Sequence, residues 1–424
     1  MILSGLWLLA CLVPLSSFPS LRAEVGTTLL LVLLAFIPYS VACFLAFRGR
    51  GRWPTLLAVG LLARLVLLIP EQALSDDHYR YIWEGQVVLA GENPYLHAPG
   101  DPALAFLRDD QIWPKVTHQQ IRAAYPPICQ AAFALGAWLS PTPLCMRLLM
   151  LAFDLAVWWA LAALLRARGL DPRRSVVWGW SPLVVLEIAG GAHLDALAIL
   201  GTLLALLAAA RGRALLAVLA LGLATLAKPY APVLLPFLLV RRDWPKQLLV
   251  FTGVVLLGYL PFWLSGPALG GLTDYVQRWE HNALLFPLVR DGLLRLGELP
   301  LSANALARLS LLAVLAVCVL ALWRRPVPLE QKAALALFLF LLLTPTVHPW
   351  YLLWFVPLLA LYFSPALLVF CASVLLSYHV LPRYDLTGVW EENPWLRLAE
   401  YAPVLLLFAW RARRPSKQLS RPEA

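Results

Sequence analysis

Long apolar runs recur along this whole chain, broken at intervals by clusters of arginine. A run of about 20 apolar residues crosses the hydrocarbon core of a bilayer as a helix, because a helix satisfies its own backbone polar groups where no water can. The pattern predicts an all-α polytopic membrane protein. Composition agrees, with 61% of the 424 residues hydrophobic and 14% charged, against about 25% charged in an ordinary soluble domain. A soluble enzyme is excluded. The net charge of +10 does not point to nucleic acid, since in a polytopic chain the placement of the bases matters more than their sum. No nucleic-acid partner is expected.

By the positive-inside rule the clusters at Arg48, Arg50 and Arg52, Arg166 to Arg174, Arg211 and Arg213, Arg241 to Lys246, Arg324 and Arg325, and the tail from Arg411 face the cytoplasm. Spans then fall near 2–18, 26–47, 54–70, 143–165, 175–190, 194–210, 213–227, 230–240, 247–265, 303–323, 332–345, 350–364, 366–381 and 396–411. That is about 12–14 transmembrane helices, allowing for boundary error. Residues 1–410 form one transmembrane domain and 411–424 a basic cytoplasmic tail. The segment from Met1 to Ser17 lacks a basic start and a small-residue cleavage site, so it reads as a retained first span rather than a signal peptide. Segments 213–227 and 230–240, around Lys228-Pro229, are too short to cross alone and are expected to be bent helices beside a wet cavity. The six cysteines show no metal or disulfide spacing.

The long stretch 71–142 is the large first outer loop, with 123–140 an interfacial helix lying on the outer surface. Within it, residues 71–122 carry eight acids against four bases, 4 − 8 = −4. Long loops of this kind are usually functional. Directly after the third span comes Ser75-Asp76-Asp77-His78-Tyr79-Arg80-Tyr81-Ile82-Trp83-Glu84-Gly85. Paired carboxylates, a guanidinium and aromatic rings can combine a base, a phosphate clamp and a sugar-stacking surface. Helical spacing puts Asp76 with Arg80 and Asp77 with Tyr81; the plainer alternative is a solvated interfacial helix. Glu187, His193 and Asp195 close a helical hairpin, and ionisable groups at membrane depth are functional suspects. One His and two acids there give only a weak metal signal, so no metal or other cofactor is assigned. Lys228, isolated between two short helices, wants an anion such as a lipid phosphate, unless it snorkels to the interface. His348 and Tyr351 sit in a later outer turn that can line the same cavity. Arg64, Arg147 and Asp154 lie inside spans and read as a structural Arg–Asp pairing.

Taken together, these segments resemble the C-fold (GT-C) glycosyltransferases, polytopic enzymes that use polyprenyl-phosphate-linked sugars, and among them the bacterial polyprenol-phosphate mannosyltransferase-like hexosyltransferases. The resemblance rests on Asp76-Asp77-His78-Tyr79-Arg80-Tyr81-Ile82-Trp83-Glu84-Gly85, Gly91-Glu92-Asn93-Pro94-Tyr95, Tyr125-Pro126-Pro127, Gly191-Ala192-His193-Leu194-Asp195-Ala196, Lys228-Pro229-Tyr230 and His348-Pro349-Trp350-Tyr351, in that order. It implies transfer of a hexose, mannose above all, from a polyprenyl-phosphate donor to an envelope glycan or lipid acceptor. One of Asp76 and Asp77 would be the catalytic base. Arg80 and Lys228 would contact the lipid phosphate, while Tyr81, Glu84, His193, Asp195, His348 and Tyr351 would line the substrate site. It also implies residence in the bacterial plasma membrane, among membrane lipids, with the active site on the extracytoplasmic face. Three spans precede the acidic motif here, where many relatives have one.

A transporter or lipid flippase would also show many spans, buried charges and broken helices, but with sites near the bilayer midplane. The charged candidates cluster at one membrane face instead, and the hydropathy pattern shows no inverted repeat.

Overall fold

The computed structural model describes residues 1–70, 73–297 and 301–413. Most of the basic tail, residues 414–424, and Glu71 of the acidic loop lie outside the described residues. The described residues are mostly helical, with an isolated parallel bridge between His281 and Thr346 and no named strand among them. This is an all-α polytopic membrane protein.

The main helices are α1 (Ile2–Leu12), α2 (Val25–Phe47), α3 (Trp53–Leu68), α4 (Asp77–Leu89), α5 (Pro127–Leu139), α6 (Pro143–Ala167), α7 (Asp195–Ala210), α8 (Ala214–Thr225) and α9 (Trp244–Trp263). Beyond them lie α10 (Gly270–Arg278), α11 (Phe286–Leu294), α12 (Ala303–Arg324), α13 (Leu329–Leu343), α14 (Pro365–Ser373), α15 (Leu381–Thr387) and α16 (Pro394–Ala412). Five helical stretches are long and apolar enough to cross a membrane unaided: α2, α6, α9, α12 and the continuous run from Pro365 to Thr387. Shorter apolar helices, among them α3, α7 and α8, pack against these.

Segment 230–240 is broken as its prolines predict, into one turn of 3-10 helix and one of α-helix. Segments 175–190 and 350–364 depart from the regular spans expected of them. The first consists of short turns, Val176–Gly179 and Pro182–Val184, ending in a π turn, Val185–Gly190. The second is two 3-10 stretches, Pro349–Trp354 and Val356–Ala360. Pro182, Pro349 and Pro357 each lack the N–H an α-helix needs, while hydropathy registers only that the segment is greasy. Freed backbone groups of this kind are tolerated at membrane depth where protein or a cavity surrounds them.

Deep in the bundle the guanidinium of Arg64 donates from Nε to Asp154 Oδ2 at 2.5 Å and from Nη2 to Oδ1 at 3.0 Å, with both side chains wholly buried. Its remaining N–H groups reach the Gly60 and Gly179 carbonyls, and the Trp178 indole donates to Asp154 at 2.7 Å. The helices approach so closely here that a Cβ on Gly179 would lie 2.1 Å from the Trp158 ring. The expected structural Arg–Asp pair is thus formed. Arg147 instead donates to the Pro70 carbonyl, fixing the chain just before the acidic motif.

Helix α5 buries Cys129, Phe133 and Ala137 against its neighbours and leaves Leu135, Trp138 and Leu139 exposed. It packs flat against α4, with the Tyr81 and Phe133 rings stacked at 4.4 Å. Helix α4 therefore stands on a rigid bed.

Candidate active site

Asp76 and Asp77 open α4, where the amide dipoles favour negative charge. Their side chains diverge. Asp76 Oδ2 accepts a 2.6 Å bond from Arg22, whose guanidinium fork also grips Asp385. Asp77 turns toward the broken segments: its Oδ2 lies 3.8 Å from His193 Nδ1 and accepts a long bond from the Tyr81 hydroxyl at 3.5 Å.

From Asp77 the cluster extends in two directions. His193 Nε2 is 3.3 Å from Glu187, whose carboxylate accepts two contacts from the Tyr378 hydroxyl. The π turn and Ala192, which has a positive φ of 58°, fold this hairpin so that Glu187 and His193 face each other. The His193 ring stacks on Trp350 at 3.8 Å, and Trp350 on His348 at 4.3 Å. In the other direction Asp195, in the first turn of α7, accepts the Trp354 indole N–H at 2.6 Å and lies 3.3 Å from Lys228 Nζ. The Lys228 ammonium rests over the Tyr351 ring at 5.0 Å, and Tyr351 shares a 2.6 Å hydroxyl contact with Tyr275.

The sequence-predicted residues Asp77, Tyr81, His193, Asp195, Lys228, His348 and Tyr351 therefore meet in one place, drawn from four stretches far apart in the chain. Asp76 belongs to a neighbouring group. Arg80 and Glu84 are engaged elsewhere. Arg80 pairs with Glu84 at 2.6 Å, not with Asp76, and donates to the His118 and Ile121 carbonyls, while Glu84 accepts from Gln130. These bonds tie α4 to the loop and to α5. Trp350, Trp354, Tyr275 and Tyr378 complete the cluster, and of these only Trp350 lies within a motif legible in the sequence. Trp350 was within reach, since it sits between His348 and Tyr351.

Burial raises the Asp77 carboxyl to about 6, against the pull of Lys228 and with the help of the negative Asp76 and Asp195. Its side chain keeps 31% of its surface, so it is desolvated yet reachable. Burial also raises Asp76, opposed by Arg22. Among the described residues no group of three or more His, Cys, Asp or Glu has the geometry to hold a metal ion.

The chain matches two family descriptions in sequence order. Residues 20–242 match the alpha-(1→6)-mannopyranosyltransferase N-terminal domain, and residues 291–408 match the MptB C-terminal domain. No curated relative and no solved structure matches it. The first match holds the acidic motif, the Glu187–Asp195 hairpin and Lys228, and the second holds His348, Tyr351 and Tyr378. Since the first alone spans just over half of the chain, this membrane-embedded glycosyltransferase belongs to the alpha-(1→6)-mannopyranosyltransferase family.

Proposed function

We propose that the enzyme transfers mannose from a polyprenyl-phosphate-linked donor to an envelope glycan or lipid acceptor at the outer face of the membrane, with Asp77 as general base. The observation that carries this reading is the placement of Asp77: a desolvated carboxylate, partly open, beside a cation held in place by Asp195 and Tyr351. Asp77 takes the proton of an acceptor hydroxyl as its oxygen bonds to the anomeric carbon. The bond from that carbon to the phosphate oxygen breaks, and polyprenyl phosphate leaves with the electron pair. Lys228 has three N–H donors and gives one direction to Asp195, so the others can meet the charge growing on the phosphate. The acidic balance of residues 71–122 and the arginine clusters at the opposite ends of the spans support an outer location.

The test is to replace Asp76 and Asp77 separately by Asn and to assay transfer from labelled polyprenyl-phosphate mannose in membrane vesicles. A positioned base contributes about 10²–10⁴-fold; a loss of that size in Asp77→Asn, with measurable turnover in Asp76→Asn, is expected. Full activity in Asp77→Asn sinks the assignment. Labelling of Asp110→Cys by an impermeant thiol reagent on intact cells checks the outer location.

A further inference from the structure

Where α6 and α7 end side by side, a cavity of about 520 Å³ opens between them, lined by Trp159, Ala163, Arg166, Ala167, Ala210 and Arg211. That falls within the roughly 300–1,000 Å³ typical of ligand pockets. It lies at the other end of the bundle from Asp77: α7 starts at Asp195, inside the Asp77 cluster, and its 16 residues carry the chain about 24 Å before Arg211 follows. Both helix ends leave their arginines free. Gly169 and Gly212, with φ of 69° and 71°, turn the chain so that backbone N–H groups close the last carbonyls. Gly169 and Leu170 donate to Arg166 and Leu165, and Gly212 and Arg213 donate to Ala209 and Ala208. Neither guanidinium is needed to cap its own helix. Nearby, Arg168 and Arg173 have carboxylate partners in Glu330 and Asp171. Among the described residues Arg166 and Arg211 have none, and Arg166 lies over the Trp53 ring at 5.9 Å.

We infer that this cavity holds one anionic phospholipid, its phosphate between Arg166 and Arg211 and its upper acyl chain along α6, at the face that the positive-inside rule makes cytoplasmic. Trp159, Ala163 and Ala167 recur every four residues and so form one stripe down α6. Trp159 is 65% exposed and stands seven residues, about 10 Å, toward the bilayer centre from Arg166. With the three alanines beside it, it makes an apolar slot under a cationic rim. A phospholipid has that shape, whereas a free phosphate would leave the slot unused. The lining carries two cations and no acid, so it complements a net negative headgroup and offers nothing to the ammonium of a zwitterionic one. Basic pockets between helices on the cytoplasmic side take anionic headgroups in this way, and a guanidinium can meet two phosphate oxygens at once. The site is separate from the catalytic cluster and does not depend on the role given to Asp77.

The experiment uses the full chain, delipidated in detergent, with phosphatidylglycerol, phosphatidylcholine and inorganic phosphate as probes and native mass spectrometry of the retained lipid as the readout. Wild-type protein is expected to bind one phosphatidylglycerol about tenfold more tightly than phosphatidylcholine and to keep it in the presence of excess inorganic phosphate. Arg166→Gln combined with Arg211→Gln is expected to weaken phosphatidylglycerol binding by about tenfold or more. Ala163→Phe, which fills the slot and leaves the charge unchanged, is expected to weaken it as well. Arg324→Gln combined with Arg325→Gln removes the same charge at the end of α12, outside the cavity, and is expected to bind within about twofold of wild type. Equal binding of the two lipids, displacement by inorganic phosphate, or unchanged binding in the Arg166 and Arg211 double variant overturns the site. So does a loss of equal size in the two double variants, which would reduce the effect to general surface charge, or wild-type binding in Ala163→Phe, which would leave the slot empty.

Discussion

The imidazole of His193 stands between Asp77 and Glu187, 3.8 Å from the first and 3.3 Å from the second, and joins the start of α4 to the π-turn hairpin. Asp77 is thereby held at the edge of a buried cluster rather than in open solvent, and its carboxyl sits at about 6.

A pH dependence with two opposite signs follows. Turnover needs the carboxylate, so kcat/KM falls roughly tenfold per unit as pH drops below about 6. Stability moves the other way. The folded carboxyl binds its proton more tightly than the unfolded chain does, so its contribution is fully present below the ordinary carboxylate range and is lost as pH rises through about 6. Asp77→Asn removes both dependences: transfer is lost, while the unfolding temperature at pH 8 is no lower than that of wild type. A pH–rate profile and thermal unfolding across pH 4.5–8 read the two effects.

Lys228 and Asp195 form a pair 3.3 Å apart with almost no solvent access. Removing one partner of such a pair costs about 3–5 kcal/mol, because the other charge is left buried alone. Lys228→Met and Asp195→Asn are each expected to lower the unfolding temperature, and the double variant to recover most of the loss. Activity is not expected to return in the double variant, since the leaving phosphate has lost its cation. Recovery of both together would make the pair purely structural.

Arg80 spends its guanidinium on Glu84 and two backbone carbonyls. Arg80→Met and Glu84→Gln are accordingly expected to resemble each other, with faster proteolysis of the 97–122 loop and a donor KM within about twofold of wild type. A donor KM raised tenfold by Arg80→Met alone would return Arg80 to the phosphate site.

Much of the cluster was legible in the sequence because ionisable residues at membrane depth are rare: Asp77, His193, Asp195 and Lys228 stand out from an apolar background. Their partners did not. Among 18 Trp and 13 Tyr, nothing local marks Trp354 or Tyr378 as hydrogen-bond donors to carboxylates rather than interfacial anchors. Arg80 has a carboxylate four residues away on either side, Asp76 and Glu84, and helical spacing cannot choose between them. The choice falls to Arg22, which reaches Asp76 from a loop more than fifty residues earlier. Segments 175–190 and 350–364 depart from the regular spans that hydropathy predicts for a related reason. Hydropathy reports that a segment is buried in grease, and the prolines that break it act through hydrogen bonds that hydropathy does not measure.

The Arg64–Asp154 pair separates stability from chemistry most cleanly. Both side chains are fully buried, and the guanidinium also serves two glycine carbonyls while the carboxylate also serves an indole N–H. Arg64→Leu leaves the Asp154 charge and both glycine carbonyls without their cation, and a cost of about 3–5 kcal/mol is expected. The folded fraction drops, yet the specific activity of protein that remains folded stays near wild type, since no atom of the pair belongs to the Asp77 cluster. Asp154→Leu on top of Arg64→Leu removes the stranded charge and is expected to regain part of the lost unfolding temperature, limited by the Trp178 N–H, which keeps only its longer 3.3 Å bond to the backbone carbonyl of residue 154. Activity normalised to monodisperse protein, measured beside thermal unfolding for the three variants, decides the matter: a turnover defect in well-folded Arg64→Leu protein would place this pair in the catalytic machinery instead.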